Sequence, residues 1–112
     1  MLPKKFRLTK RKHFAYLHRA GKHQRGAFVD LVYCYAGIKE LKVGFSASKK
    51  VGNSVIRHLA VRKLRAGLRP YLKHLSPSVS YIFVAKENLH KQAVRDLSRE
   101  MLTLIKKAGL LI

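Results

Sequence analysis

Acidic residues are the scarcest feature of this sequence. Only five occur in 112 residues (Asp30, Glu40, Glu87, Asp96 and Glu100), against 25 Lys and Arg, for a formal net charge of +20. Self-repulsion at that charge disfavours a compact chain, so the imbalance points outward, to a polyanionic partner. The acids are scattered along the chain, and no paired-carboxylate site for acid–base chemistry is expected from them. Cysteine occurs once, at Cys34, which excludes an internal disulfide; set in an apolar, strand-like run, it reads as a buried, inert thiol. Long apolar runs are missing too. Tyr81 to Ala85 and Gly109 to Ile112 fall far short of the roughly 18 residues of a spanning helix. The basic start, Met1-Leu2-Pro3-Lys4-Lys5-Phe6-Arg7, runs into more charge where a signal peptide would carry an apolar stretch, which predicts a cytoplasmic protein. Six histidines come without Cys pairs or a His-Glu-x-x-His pattern. His13, His18 and His23 recur every five residues, a rotation of about 140° on a helix, so they do not converge and no metal site is expected.

What is present suits one domain spanning residues 1–112, with an apolar fraction of 47% available for a core. The basic residues are spread evenly, 13 in residues 1–56 and 12 in the remainder, so they do not form a tail. Thr9 is placed to cap a helix from about Lys10 to Ala20, with Gly21 as its stop. Residues 27–35 are rich in β-branched and aromatic types and read as a strand, followed by a turn over 36–40. Leu41 to Ser48 alternates as a second strand, with Val43, Phe45 and Ala47 on one side and Lys42, Gly44, Ser46 and Ser48 on the other. A helix follows from about Ser54 to Arg69, stopped near Pro70. Tyr81 to Ala85 reads as a strand buried on both faces. The last helix, from about His90 to Ala108, aligns Val94, Leu97, Met101, Leu104 and Ile105 on one stripe. This order predicts an α+β fold, a two-layer α–β sandwich with a small central sheet and three main helices.

Residues 49–69 carry the functional signal. With Arg57 set at 0° and about 100° per residue, Arg65, His58, Arg69 and Arg62 fall within a stripe about 60° wide. Ile56, Leu59, Ala60 and Leu64 are assigned to the opposite, packing arc. Arginine suits such a stripe because its planar fork grips phosphate oxygens two at a time. Upstream, Gly52-Asn53-Ser54 leads into a helix N-terminus, whose free N–H groups also favour phosphate. Glu40 is the one acid between Asp30 and Glu87, so this helix has no acidic partner of its own and reads as a nucleic-acid surface. Phe14, Phe28, Tyr33 and Tyr35 are aromatic candidates for base stacking, with membership of the core as the other reading.

The run from Lys42 to Arg57, with Ser48-Lys49-Lys50-Val51-Gly52-Asn53-Ser54-Val55 at its centre, resembles the signature of the bacterial ribonuclease P protein family. In that family a strand ending in Ser-x-Lys-Lys-x-Gly-Asn-Ala-Val leads into the helix of the RNR motif. Phe6-Arg7-Leu8-Thr9 with Phe14, and Ser80 to Lys86, are similar to its opening and its late strand, so the likeness spans nearly the whole chain. Within the motif Arg57 matches the first Arg, His58 stands for Asn, Leu59 for the second Arg and Val61 for a Lys, while Arg62 and Arg65 match.

The resemblance implies a sandwich with a left-handed crossover between parallel strands, against the usual rule. It implies a protein subunit of the tRNA 5′-endoribonuclease in which the RNA subunit, with bound Mg²⁺, performs the hydrolysis, and the protein itself holds neither metal nor cofactor. Lys49, Lys50, Asn53, Arg57, His58, Arg62, Arg65 and Arg69 would contact the ribonuclease P RNA. The 5′ leader of precursor tRNA would lie in a cleft between the first helix and the sheet. Carried over by position, its residues are Phe14, His18 (where the family has Phe), Phe28, Leu31 (where it has Tyr), Ser46 and Ser48. Neither a membrane nor a protein partner is expected. The competing reading is a ribosomal or other structural RNA-binding protein, which shares the charge and size but has no reason for Lys-Lys-x-Gly-Asn before such a helix. A cationic membrane-active protein fits less well, because the helices pair one basic face with one core face.

Overall fold

The computed structural model describes residues 19, 21–34, 42–76 and 79–111. Four strands, β1 (Lys22–Arg25), β2 (Val29–Cys34), β3 (Lys42–Ala47) and β4 (Ser80–Ala85), form one sheet in the order β1-β2-β4-β3. Two helices, α1 (Ser54–Leu68) and α2 (Val94–Lys107), complete the α+β fold, with short 3-10 segments at Arg69–His74 and Leu89–Lys91. Of the helix expected over residues 10–20, only Arg19 lies within the described residues, where it is helical and exposed.

β4 takes the centre of the sheet for a reason visible in its side chains. Tyr81, Ile82 and Phe83 are wholly buried although they alternate between the two faces, so this strand needs cover on both sides. It pairs antiparallel with β2 and parallel with β3. β2 and β3 are therefore not neighbours in the sheet, and the turn expected over 36–40 lies outside the described residues. The parallel pair β3 and β4 is joined through α1, the crossover unit that parallel neighbours require. β1 has no counterpart among the expected strands. Its sequence, Lys-His-Gln-Arg, has no apolar alternation, and it exists as an edge strand because β2 offers it a partner.

One face of the sheet carries the main core. Val29, Leu31, Tyr33, Val43, Tyr81 and Phe83 pack with Ala60, Leu64 and Leu68 of α1 and Leu97, Met101, Leu104 and Ile105 of α2. The stripe expected on the last helix is thus real, except that Val94, its first residue, is 37% exposed. The helix also starts later than expected, since His90 belongs to a 3-10 segment. The two helices are tied where the Ser98 hydroxyl donates to the Gly67 carbonyl at 2.7 Å. On the opposite face Val32 and Ile82 are buried, with Cys34 and Val84 packed against them. Cys34 is half-buried, so its thiol is less enclosed than the sequence suggests.

Two of the five acids hold the β1–β2 turn. The Glu100 carboxylate accepts from the backbone N–H groups of Ala27 (2.9 Å) and Phe28 (3.1 Å). Asp30 accepts from the Gly26 N–H at 3.1 Å and faces the Lys86 ammonium at 3.6 Å. Lys86 in turn donates to the Gly26 carbonyl at 2.9 Å. Truncating Glu100 to Ala should cost about 1–2 kcal/mol, because charged hydrogen bonds are the stronger kind and two donors lose their acceptor. Glu87→Ala removes the same charge from an exposed site and should stay within about 0.5 kcal/mol of the parent in denaturant melts. Equal melts for the two variants would refute the bracing role of Glu100.

Candidate nucleic-acid interface

The interface is built on the passage from β3 into α1. After Ala47 the chain turns, with the Val51 N–H donating to the Ser48 carbonyl at 3.1 Å, and the buried Val51 side chain pins the turn to the core. Lys49 and Lys50 stand exposed at its tip. Gly52 then adopts φ +152°, a conformation open to glycine, and hands over to Asn53. The Asn53 side-chain oxygen accepts from the Ile56 N–H at 3.0 Å, an N-cap that fixes the first turn of α1. Asn53, expected to touch RNA, therefore has one side-chain atom already committed to the helix.

α1 contains no acidic residue. Ala60, Leu64, Gly67 and Leu68 face the core. His58, Arg62 and Arg69 are exposed, as the angular count expects. Arg57 and Arg65 differ: both are half-buried, and the Nε atom of each is shielded with no hydrogen-bond partner among the described residues. The Arg65 guanidinium lies 5.8 Å from the centre of the Phe45 ring, which itself stacks on Phe83 at 6.0 Å and 24°. A cation held over an aromatic face loses freedom before any ligand arrives, so Arg65 is oriented by the sheet. Lys63 is engaged inside the protein, donating to the carbonyls of His90 (2.7 Å) and Gln92 (2.8 Å).

One expectation for α1 needs correction, and one exposed residue is missed. Leu59 is 38% exposed and not on the packing arc. At about 200° from Arg57 it stands only about 60° from Arg62, so the count itself favours the open side. Val55, absent from the expected surface, is 75% exposed, and its angle of about 160° puts it beside Arg62.

The residues expected to hold a leader are less united. Phe14 and His18 lie outside the described residues, as does Tyr35. Leu31 is wholly buried in the helix-side core, which removes it from any cleft surface; Tyr33, on the same strand face, is buried with it. The alternation of β2 gives the two faces correctly but not which one the helices cover. Phe28 is half-buried and packs against the main core. Ser46 is half-buried in register with Val84, on the sheet face opposite α1 and α2, while Ser48 is exposed beyond the end of β3. Among the described residues no group of three His, Cys, Asp or Glu could hold a metal ion, and no helix is long and apolar enough to cross a membrane.

The family model described as ribonuclease P matches residues 2–109. The chain belongs to the ribonuclease P protein family. Its role is that of a protein subunit of ribonuclease P in tRNA processing. A ribonuclease P protein component from Clostridium botulinum (strain Langeland) is 29% identical over 108 residues, covering 96% of this chain and 97% of the relative. One from Synechococcus sp. is 32% identical over 117 residues, covering 100% and 88%. The RNase P protein of Staphylococcus aureus superposes with a TM-score of 0.83 at 21% identity, covering 97% of this chain and all of that one. That of Thermotoga maritima gives 0.78 at 17% identity, covering 90% and 96%. At these identities the two superpositions speak for the fold of the ribonuclease P protein family alone.

Proposed function

We propose that this chain grips the catalytic RNA of ribonuclease P through α1 and the turn before it, and steadies the 5′ leader of precursor tRNA on the opposite sheet face. The observation that carries the first half is an acid-free helix that exposes Arg62 and Arg69 while Arg65 is braced over Phe45. Lys49 and Lys50 extend the basic set toward the end of β3. Phosphate contacts of this kind position an RNA without reading its sequence. The second half rests on the family resemblance, which carries Phe14 and His18 over as leader residues, together with the polar position of Ser46. A cytoplasmic location is in keeping with a role in tRNA processing.

Hydrolysis is assigned to the RNA subunit with Mg²⁺. This chain is assigned no chemical step of its own. Its contribution is to hold and orient the RNA subunit and the substrate.

The full-length protein incubated with precursor tRNA and Mg²⁺ should produce no cleavage. Adding ribonuclease P RNA should yield cleavage at the mature 5′ end, with the protein raising the preference for precursor over mature tRNA. Cleavage at that position by protein free of RNA would overturn the division of labour. Failure of the protein to affect the reconstituted reaction would overturn the subunit reading itself.

A further inference from the structure

The outward face of α1 carries more than cations. Val55 and Leu59 are 75% and 38% exposed and lie one helical turn apart. With Ser54, His58 and Arg62 they line an open, shallow depression of about 500 Å³. A single exposed apolar side chain is ordinary, but two sharing one depression on the face that carries the phosphate-binding arginines ask for an occupant. The patch is only two apolar side chains wide, far below the roughly 1,000 Å² that a specific protein interface requires. The charge beside it is positive, and neither α1 nor residues 48–53 contain an acid. A flat apolar group attached to a negative charge matches both features.

We infer that this depression receives an unpaired nucleobase of the RNA subunit, its face on Val55 and Leu59 and its phosphate on Arg62. The inference rests on the reading that α1 binds that RNA, and it gives Leu59 a positive role. Where the motif that this segment resembles has a second Arg, this chain exchanges a phosphate contact for a base contact. His58, beside Leu59 on the rim, adds an imidazole that stacks on the base or hydrogen-bonds to its edge.

Apolar burial releases no counterions, so it separates from phosphate contacts in a salt series. Binding of the full-length protein to ribonuclease P RNA from the same organism is measured across salt concentrations. Leu59→Ala and Val55→Ala should each weaken affinity about five- to tenfold at every salt concentration with an unchanged log–log slope. Leu59→Met should bind within about twofold of the parent, because it keeps the apolar surface. Arg62→Ala should instead shallow the slope by about one unit. Both apolar positions are at the surface, so melts of the two truncation variants should match the parent. A photoreactive benzophenone side chain at position 59 should crosslink to an unpaired nucleotide. Parent-like binding by both truncation variants, with the slope still altered by Arg62→Ala, would overturn the base site and leave RNA binding by α1 intact. A salt response unmoved by Arg62→Ala, with no loss in the apolar variants, would remove both. A crosslink confined to duplex RNA would overturn the unpaired base.

Discussion

Raising salt from about 50 to about 200 mM is expected to weaken binding of this protein to ribonuclease P RNA roughly 500-fold. The magnitude follows from the number of phosphates within reach of one surface. Lys49, Lys50, Arg57, Arg62, Arg65 and Arg69 are the candidate cations, and about five simultaneous contacts at about −0.9 each give a log–log slope near −4.5. No acid on α1 competes for them. The surface also makes a sharp internal contrast between neighbours. Arg62 is exposed, whereas Lys63 donates to two backbone carbonyls. Arg62→Ala should therefore shallow the slope by about one unit, while Lys63→Ala should leave it nearly unchanged and lower the melting temperature instead. Arg65→Ala should do some of each, because its guanidinium lies over Phe45 and its Nε is shielded. Isotherms at four or five salt concentrations decide the matter. Slopes unaltered in both the Arg62 and Arg65 variants would mean that the stripe is merely solvated.

The parts of the fold legible in the sequence are those fixed by local periodicity. α1 runs Ser54–Leu68 against an expected 54–69, because a 3.6-residue apolar period, an Asn cap and Pro70 act within one segment. β4 is readable as buried on both faces because its apolar run leaves no side for water. Sheet order is not readable, since the insertion of β4 between β2 and β3 depends on pairing across distant segments. β1 is invisible for the same reason, its four polar residues becoming a strand only beside β2. At the site, the angular count places His58, Arg62 and Arg69 on the open side. It does not foresee that Arg57 and Arg65 are half-buried, because a helical wheel fixes direction about the helix and not the position of β3 beside it. Leu31 fails as a cleft residue on a similar ground: alternation separates two faces without saying which one the helices cover.

Gly52→Ala should destabilise the protein by about 2–4 kcal/mol. Two causes add. The backbone at Gly52 has φ +152°, which an L side chain rarely adopts. A Cβ built there would also sit 2.8 Å from Cγ2 and 2.9 Å from Cβ of Ile56, inside normal contact distance. Ile56 cannot easily yield, because it packs against the main core and its N–H is held by the Asn53 cap. Gly109, just past the end of α2, is the natural comparison. It also has a positive φ, +72°, but among the described residues nothing lies within 4 Å of where a methyl group would sit, so Gly109→Ala should show only the conformational cost of about 1 kcal/mol. Denaturant melts of the two variants separate crowding from backbone strain. The functional consequence is specific to Gly52, since this residue sets the angle at which the Lys49-Lys50 turn enters α1. After correction for the folded fraction, Gly52→Ala should still bind ribonuclease P RNA more weakly than the parent, whereas Gly109→Ala should bind equally. Equal stability losses at the two glycines would show that Ile56 moves aside freely. Unchanged binding by folded Gly52→Ala would show that the turn does not aim the helix.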